Sequence, residues 1–157
     1  MWLEVSKNNK KYIVAGIYRH PNKDSRDFSD QLEIILENIS KKKIPCIIAG
    51  DINIDFAKYG VHHETTNYVN NLLVNNFVPT IIMPSRVTAN TATIIDHVYY
   101  YEGCNSKKDL RILAGNLWSD LTDHLPNYML IIDNHLKTDD NRPKVRLFSD
   151  KNNHSYI

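Results

Sequence analysis

The sequence lacks several features that would assign a protein class at once. No apolar run approaches the ~20 residues that span a bilayer, and Lys7, Lys10 and Lys11 interrupt any signal-peptide core. Its two cysteines, Cys46 and Cys104, form no CxxC pair, which argues against a zinc site or a disulfide framework. The net charge of +1 gives no global field for nucleic acid. We expect a nuclear or cytoplasmic protein, neither secreted nor membrane-bound.

The 157 residues suffice for one domain with its own core. Hydrophobic periodicity predicts helices over 24–42 and 64–76, the second capped by Thr65 or Thr66. It predicts strands over 2–6, 11–18, 44–49, 78–83, 93–100, 110–114 and 127–132, with a hairpin joining the first two. Strands that alternate with helices and then dominate favour a layered α/β sandwich. The polar, Lys-rich residues 134–157 are typical of a linker or disordered tail.

The most informative stretch is residues 50–53 (GDIN), directly after the apolar run 44–49. Residues i and i+2 of an extended segment point to the same side, so Asp51 and Asn53 would share one face at a strand end. A carboxylate beside a carboxamide can hold and deprotonate a water, or bind a hard cation. The alternative is a plain polar turn, since Gly, Asp and Asn all favour turns.

Three further strand ends carry polar groups, at Tyr18 to His20, at Asp96 and at Asp123-His124. Asp96 interrupts an apolar stretch, and an unpaired buried carboxylate is strongly destabilising, so it needs a partner. Both His97 and His124 are candidates, although His97 is expected to point to the other sheet face as a partly exposed residue. The alternative for Asp96 is a cap or a packing ion pair.

Four segments together resemble the motif blocks of one superfamily. They are residues 16–21 (GIYRHP), 48–53 (IAGDIN), 85–98 (SRVTANTATIIDHV) and 119–126 (SDLTDHLP). In this order and spacing they resemble the endonuclease/exonuclease/phosphatase superfamily, the fold of the apurinic-site nucleases and of DNase I. They look most like the endonuclease domain of non-LTR retrotransposon polyproteins, and residues 144–152 look like the linker toward its reverse transcriptase.

The resemblance implies catalytic roles for Tyr18, Asp51, Asn53, Asp96 and His124. Asp51 would orient or deprotonate the attacking water, and Asn53 would hold that water and the phosphate. Asp96 would pair with His124, whose imidazole would stabilise charge on the phosphoryl oxygens. Tyr18 would contact the phosphate or the leaving oxygen.

The resemblance also implies a metal and a nucleic-acid partner. Asp123, with Asp51, would bind Mg²⁺ or Mn²⁺, and Arg19, Arg86 and Thr93 would contact the DNA backbone. The partners implied are DNA and, in the parent polyprotein, a downstream reverse transcriptase; no membrane is expected.

One departure matters for activity. The family's principal Mg²⁺ ligand is a Glu on an early strand, and Glu4 is the only acidic residue before Tyr18, without the surrounding motif. We therefore expect residues 1–133 to be the C-terminal portion of a partial four-layer α/β sandwich truncated at its N-terminus, with weak metal binding and little or no DNA-nicking activity alone. The alternatives are a phosphatase of the same superfamily and a non-catalytic nucleic-acid-binding remnant.

Overall fold

The structure is a computed structural model that describes residues 1–7, 10–103 and 110–133. The strands are β1 (Trp2–Lys7), β2 (Lys10–Gly16), β3 (Cys46–Asp51), β4 (Val78–Pro79), β5 (Arg86–Val87), β6 (Ala92–Thr93), β7 (Asp96–Tyr101), β8 (Leu110–Asn116) and β9 (Asn127–Asp133); the helices are α1 (Ser25–Lys42) and α2 (His63–Val74). Within these ranges, neither helix combines the length and apolar character that crossing a bilayer requires.

Five strands form a central mixed sheet in the order β1-β2-β3-β7-β4. The predicted hairpin of β1 and β2 is antiparallel, β2 runs parallel to β3, and β7 runs antiparallel to both β3 and β4. Parallel neighbours need a long crossover, which α1 supplies between β2 and β3. A mixed sheet with two helices confirms the predicted α/β fold class.

Helix α1 forms where the pattern predicts it. Its apolar positions Leu32, Leu36 and Ile39 are buried on one face. The Asp24 carboxylate caps the helix by accepting from the amides of residues 26 and 27, and these hydrogen bonds hold the pKa of Asp24 below its ordinary value. Lys43 ends the helix in the left-handed conformation.

The two faces of the sheet meet different partners. Alternate residues of β2, β3 and β7 pack under both helices in one core, which includes Ile13, Ala15, Cys46, Ile48, Tyr99, Leu36, Tyr68 and Leu72. On the opposite face lies the separate hairpin of β8 and β9, which contacts the central sheet where β9 meets β7. Helices, central sheet and hairpin are thus three layers of the expected partial four-layer sandwich.

Four local predictions are corrected. Helix α2 is capped by the His62 side chain, which accepts from the Thr65 amide, rather than by a threonine. The apolar spacing of this helix also predicts that Tyr68, Leu72 and Leu73 face the core, but Leu73 is exposed. The strand predicted over 78–83 is only Val78–Pro79, because the Thr80 amide and hydroxyl both turn onto the Val98 carbonyl. The strand predicted over 93–100 divides, because the amides of residues 95 and 96 both donate to the Ser85 hydroxyl.

Of the two cysteines, only Cys46 lies in the described part of the chain. Cys46 is buried, and burial raises the pKa of its thiol to about 12, so it behaves as a core residue. Cys104 and residues 134–157 lie outside the described residues.

Candidate active site

The site begins where β2 and β3 end side by side. The Arg19 amide donates to the Asp51 carbonyl at 3.0 Å, so their pairing continues past the end of β2. Extending the Gly16–Ala49 register by two residues places Tyr18 beside Asp51 on the same face of the sheet. Tyr18 is 65% exposed, which leaves its hydroxyl accessible to a substrate.

Gly50 is required by close backbone approach. A Cβ at this position would lie 1.7 Å from the Ile17 carbonyl oxygen, a distance that no side chain tolerates. Only glycine therefore lets the ends of β2 and β3 come this close, and Asp51 follows directly.

The turn after β3 is fixed by Asp51 and Asn53. The Asn53 amide donates to Asp51 Oδ1 at 3.1 Å, and Asn53 adopts φ +53°, a left-handed conformation that asparagine tolerates better than most residues. The Asn53 Nδ2 donates to the Arg19 carbonyl at 2.9 Å. The side-chain nitrogen is therefore occupied by the protein, and the Oδ1 end of the amide is the part that could meet a water.

Asp96 lies directly opposite Asp51 in the antiparallel β3–β7 register. Its Oδ2 accepts from His124 Nδ1 at 2.9 Å and from the Ser85 hydroxyl at 2.9 Å. His124, rather than His97, is therefore the histidine partner of Asp96. An imidazole held through Nδ1 keeps Nε2 for a substrate.

The third and fourth motif blocks, residues 85–98 and 119–126, are joined by backbone pairing. The Val87 amide donates to the Asp123 carbonyl at 2.8 Å, and the Leu125 amide donates to the Ser85 carbonyl at 2.7 Å. Arg86 and His124 form an isolated antiparallel bridge between these two bonds. This pairing places the His124 side chain over Asp96.

Solved structures with a similar arrangement of elements are found at low sequence identity. An endonuclease/exonuclease/phosphatase family protein from Leptotrichia buccalis has a TM-score of 0.57 and 13% identity, over 83% of this chain and 53% of that one. The chain has the endonuclease/exonuclease/phosphatase fold. A beta toxin variant from Staphylococcus aureus, with bound magnesium ions, has a TM-score of 0.56 and 15% identity, over 82% of this chain and 56% of that one.

The chain spans about half the length of these solved structures. No family model and no curated protein matches the sequence.

Among the described residues, Asp51, Asp96 and His124 form a cluster whose candidate ligand atoms all lie within 4.8 Å of one another. Two carboxylates in register on adjacent strands repel each other, so the site favours a cation. Carboxylate oxygens suit Mg²⁺ or Mn²⁺, which need one or two protein carboxylates when substrate oxygens complete the shell. The donor set therefore fits a divalent cation in this fold, with Asp51 the carboxylate not engaged by a histidine.

Asp123, the other predicted metal ligand, lies outside this cluster. Its Oδ2 accepts from Arg86 Nε at 2.7 Å, and this hydrogen bond holds the pKa of Asp123 below its ordinary value. Both side chains are about two-fifths exposed, so solvent screens this ion pair and it contributes little stability. A cation at Asp123 would share or compete for this carboxylate with Arg86, and the metal role of Asp123 stays a prediction.

Ser85 is a site residue whose role the sequence did not reveal. It is 0% exposed; its hydroxyl donates to Asp96 and accepts from the amides of residues 95 and 96 at 3.1 and 2.8 Å. One hydroxyl thus fixes both the carboxylate and the backbone of Asp96. Its position in the block of residues 85–98, at the end of an apolar segment, was the only available signal.

The other predicted residues lie in varied environments. Thr93 is half-buried and pairs with Arg86 across β5 and β6, so its DNA contact stays a prediction. His97 was expected to be partly exposed, but this is wrong: it is 3% exposed and bonds through Nδ1 to the Tyr68 hydroxyl at 3.1 Å. It lies on the helix-covered face, where the alternation of strand β7 places it. Arg19 is also buried, at 6% exposure.

Proposed function

We propose that this chain carries part of the catalytic centre of a divalent-cation-dependent phosphodiesterase that nicks DNA. The observation that carries the proposal is the Asp96–His124 pair, which lies opposite Asp51 at adjacent strand ends. A carboxylate can accept the proton of an attacking water, and an imidazole can stabilise the negative charge that develops on the phosphoryl oxygens, so the pair of groups suits phosphodiester hydrolysis.

We propose one task for each group. Asp51 takes the proton of the attacking water, and Asn53 Oδ1 orients that water. Asp96 holds Nδ1 of His124, so Nε2 faces the phosphoryl oxygens as their charge grows. Tyr18 lies on the same face and donates its hydroxyl to the phosphate or to the leaving oxygen. A divalent cation would supply further neutralisation of the phosphate charge.

DNA is the proposed substrate because the four motif blocks resemble retrotransposon endonucleases. The exposed Arg86 supports phosphate contact, since it lies within one residue of Asp123 and His124 in the β5 pairing. In this proposal the parent protein also contains a reverse transcriptase, and the chain functions as its DNA-nicking portion.

One observation favours the alternative of a non-catalytic nucleic-acid-binding remnant. Glu4, the only acidic residue before Tyr18, is bonded to Lys11 on the exposed hairpin at 2.8 Å and is therefore engaged away from the cluster. Loss of a ligand or of its supporting groups commonly lowers metal affinity or activity ~10–100-fold. We accordingly propose that the 157-residue chain alone is weakly active or inactive.

Relaxation of supercoiled plasmid with Mg²⁺ tests the proposal. The chain is compared with a form extended by its upstream coding sequence, and Asp51→Ala, His124→Ala and the exposed-histidine control His63→Ala are made in the extended form. We expect nicking that EDTA abolishes, that His124→Ala lowers ~10²–10⁴-fold and that His63→Ala leaves unchanged. Nicking that survives both site substitutions contradicts the assignment. DNA binding without nicking, with a steep salt dependence, supports the remnant instead.

A further inference from the structure

Arg19 is a buried cation with an unusual set of partners. Arginine is almost never fully buried unless its donors are satisfied. Its Nε donates to the Ile52 carbonyl at 2.7 Å and its Nη2 to the Asn53 carbonyl at 2.8 Å. Its Nη1 donates to the carbonyls of Lys23 and His20. The guanidinium thus bonds to four backbone carbonyls from two separate loops.

The contacts between Arg19 and the loop after β3 run in both directions. The Arg19 amide donates to the Asp51 carbonyl at 3.0 Å, and the Arg19 carbonyl accepts from Asn53 Nδ2 at 2.9 Å. With the guanidinium bonds to Ile52 and Asn53, Arg19 contacts the last residue of β3, Asp51, and both residues that follow it. Backbone and side chain of Arg19 therefore form a clamp on the segment that carries Asp51.

The loop needs such a clamp because of its conformation. Asn53 has φ +53°, a left-handed conformation that costs energy for any residue except glycine, although less for asparagine than for most. The carbonyls of Ile52 and Asn53 turn inward, and a buried carbonyl without a donor is destabilising. The planar guanidinium presents a fixed fork of donors that reaches several carbonyls at once, whereas a lysine ammonium is a single point charge.

We propose that Arg19 is a positioning residue that fixes the orientation of Asp51 and Asn53, and that it does not contact DNA phosphate. The proposal rests on the proposed phosphodiesterase function, and it replaces the sequence-based prediction that Arg19 binds DNA. Arg19 acts through the loop: the direction of the Asp51 carboxylate depends on carbonyls that the guanidinium holds.

Arg19→Lys tests the proposal because it keeps the charge and removes the fork. The matched control is Arg26→Lys, at an exposed position of α1. Three quantities are measured: amide hydrogen exchange at Ile52 and Asn53 relative to Ile48, the salt dependence of binding to a duplex, and kcat and KM of whichever form nicks. We expect faster exchange confined to the loop, an unchanged salt slope, and a kcat lowered ~10–100-fold with KM little changed. Arg26→Lys should change none of the three.

Three results would overturn the proposal. The first is a salt slope that falls by about 0.9 when the further variant Arg19→Gln removes the charge, the value for one lost phosphate contact. The second is exchange that rises equally at Ile48 and in the loop, which indicates general packing, and the third is unchanged exchange throughout. If no form nicks DNA, the proposed function fails, while the exchange data still decide whether Arg19 clamps the loop.

Discussion

The two layers that flank the central sheet differ sharply in how deeply their apolar side chains are buried. Under α1 and α2, Leu36 and Cys46 are 0% exposed and Tyr68 is 1% exposed. In the β8–β9 hairpin on the other side, Leu113 is 46% exposed and Leu130 is 53% exposed. Because apolar burial is the main stabilising term, folding stability should reside mostly on the helix-covered face.

The hairpin side is also packed more loosely. A cavity of about 910 Å³ lies between β8 and the β4–β7 edge, lined in part by Tyr100, Ile112 and Ala114. The Tyr100 hydroxyl is buried there with no partner among the described residues, and burial raises the pKa of Tyr100 to about 12. The candidate site lies on this hairpin side, where strand pairing and side-chain hydrogen bonds, rather than close apolar packing, hold Asp51, Asp96 and His124 in place.

The largest expected effect is a difference in stability between the two faces. Leu36→Ala removes a fully buried side chain and should lower the free energy of unfolding by about 2–5 kcal/mol. Leu130→Ala removes a half-exposed side chain and should lower it by less than about 1 kcal/mol. Urea unfolding followed by circular dichroism measures both. Equal losses would show that the hairpin contributes as much as the helices and would refute the contrast.

A smaller effect is expected at the junction that carries the site. Gly50→Ala places a Cβ against the Ile17 carbonyl and should lower the free energy of unfolding by roughly 2–4 kcal/mol, with loss of any nicking activity. Gly16→Ala is the matched control, because a Cβ at Gly16 meets nothing within 4 Å and the change should stay within about 0.5 kcal/mol. Thermal unfolding of the two variants gives the comparison. A tolerated alanine at 50 would mean that the ends of β2 and β3 separate at little cost.

Local chemistry made much of the fold predictable. The apolar spacing, with Asp24 or Ser25 as the candidate cap, predicted α1 to within one residue of its ends. The apolar run before Gly50 predicted β3, although the strand continues two residues further than expected, through Asp51. The need of a buried carboxylate for a partner predicted that Asp96 would be bonded to a histidine.

Other site features depend on contacts between residues far apart in sequence. Ser85 reaches Asp96 across 11 residues, and Arg19 reaches Asn53 across 34. Hydrophobic periodicity along the sequence does not predict which serine or arginine side chain will hydrogen-bond to a distant backbone segment. Tyr68, the hydrogen-bond partner of His97, likewise comes from another element, helix α2. Strand alternation therefore predicted which face of the sheet His97 lies on, but not that its side chain is buried.

The smallest expected effect is a pH dependence that comes from the helix-covered face. His97 lies between Tyr68 and Tyr99, with Asp96 and Asp51 exerting weaker charge effects, and burial lowers its pKa from the ordinary value of 6.5. The folded protein therefore binds this proton less readily than the unfolded chain. The contribution of His97 to stability is complete above about pH 6.5 and declines as the pH falls below that value toward the lowered folded pKa.

His97→Gln isolates this contribution, because glutamine keeps a polar side chain that does not titrate. The contribution of His97 to the wild-type free energy of unfolding should fall from pH 7 to pH 5 with a slope of at most about 1.4 kcal/mol per pH unit, the limit for one proton. His97→Gln should flatten that slope, whereas the exposed-histidine variant His63→Gln should retain it. The slope reports on the closed packing under the helices. A His97→Gln slope identical to that of the wild type would mean that water reaches His97, and that the helix-covered face is less sealed than its burial indicates.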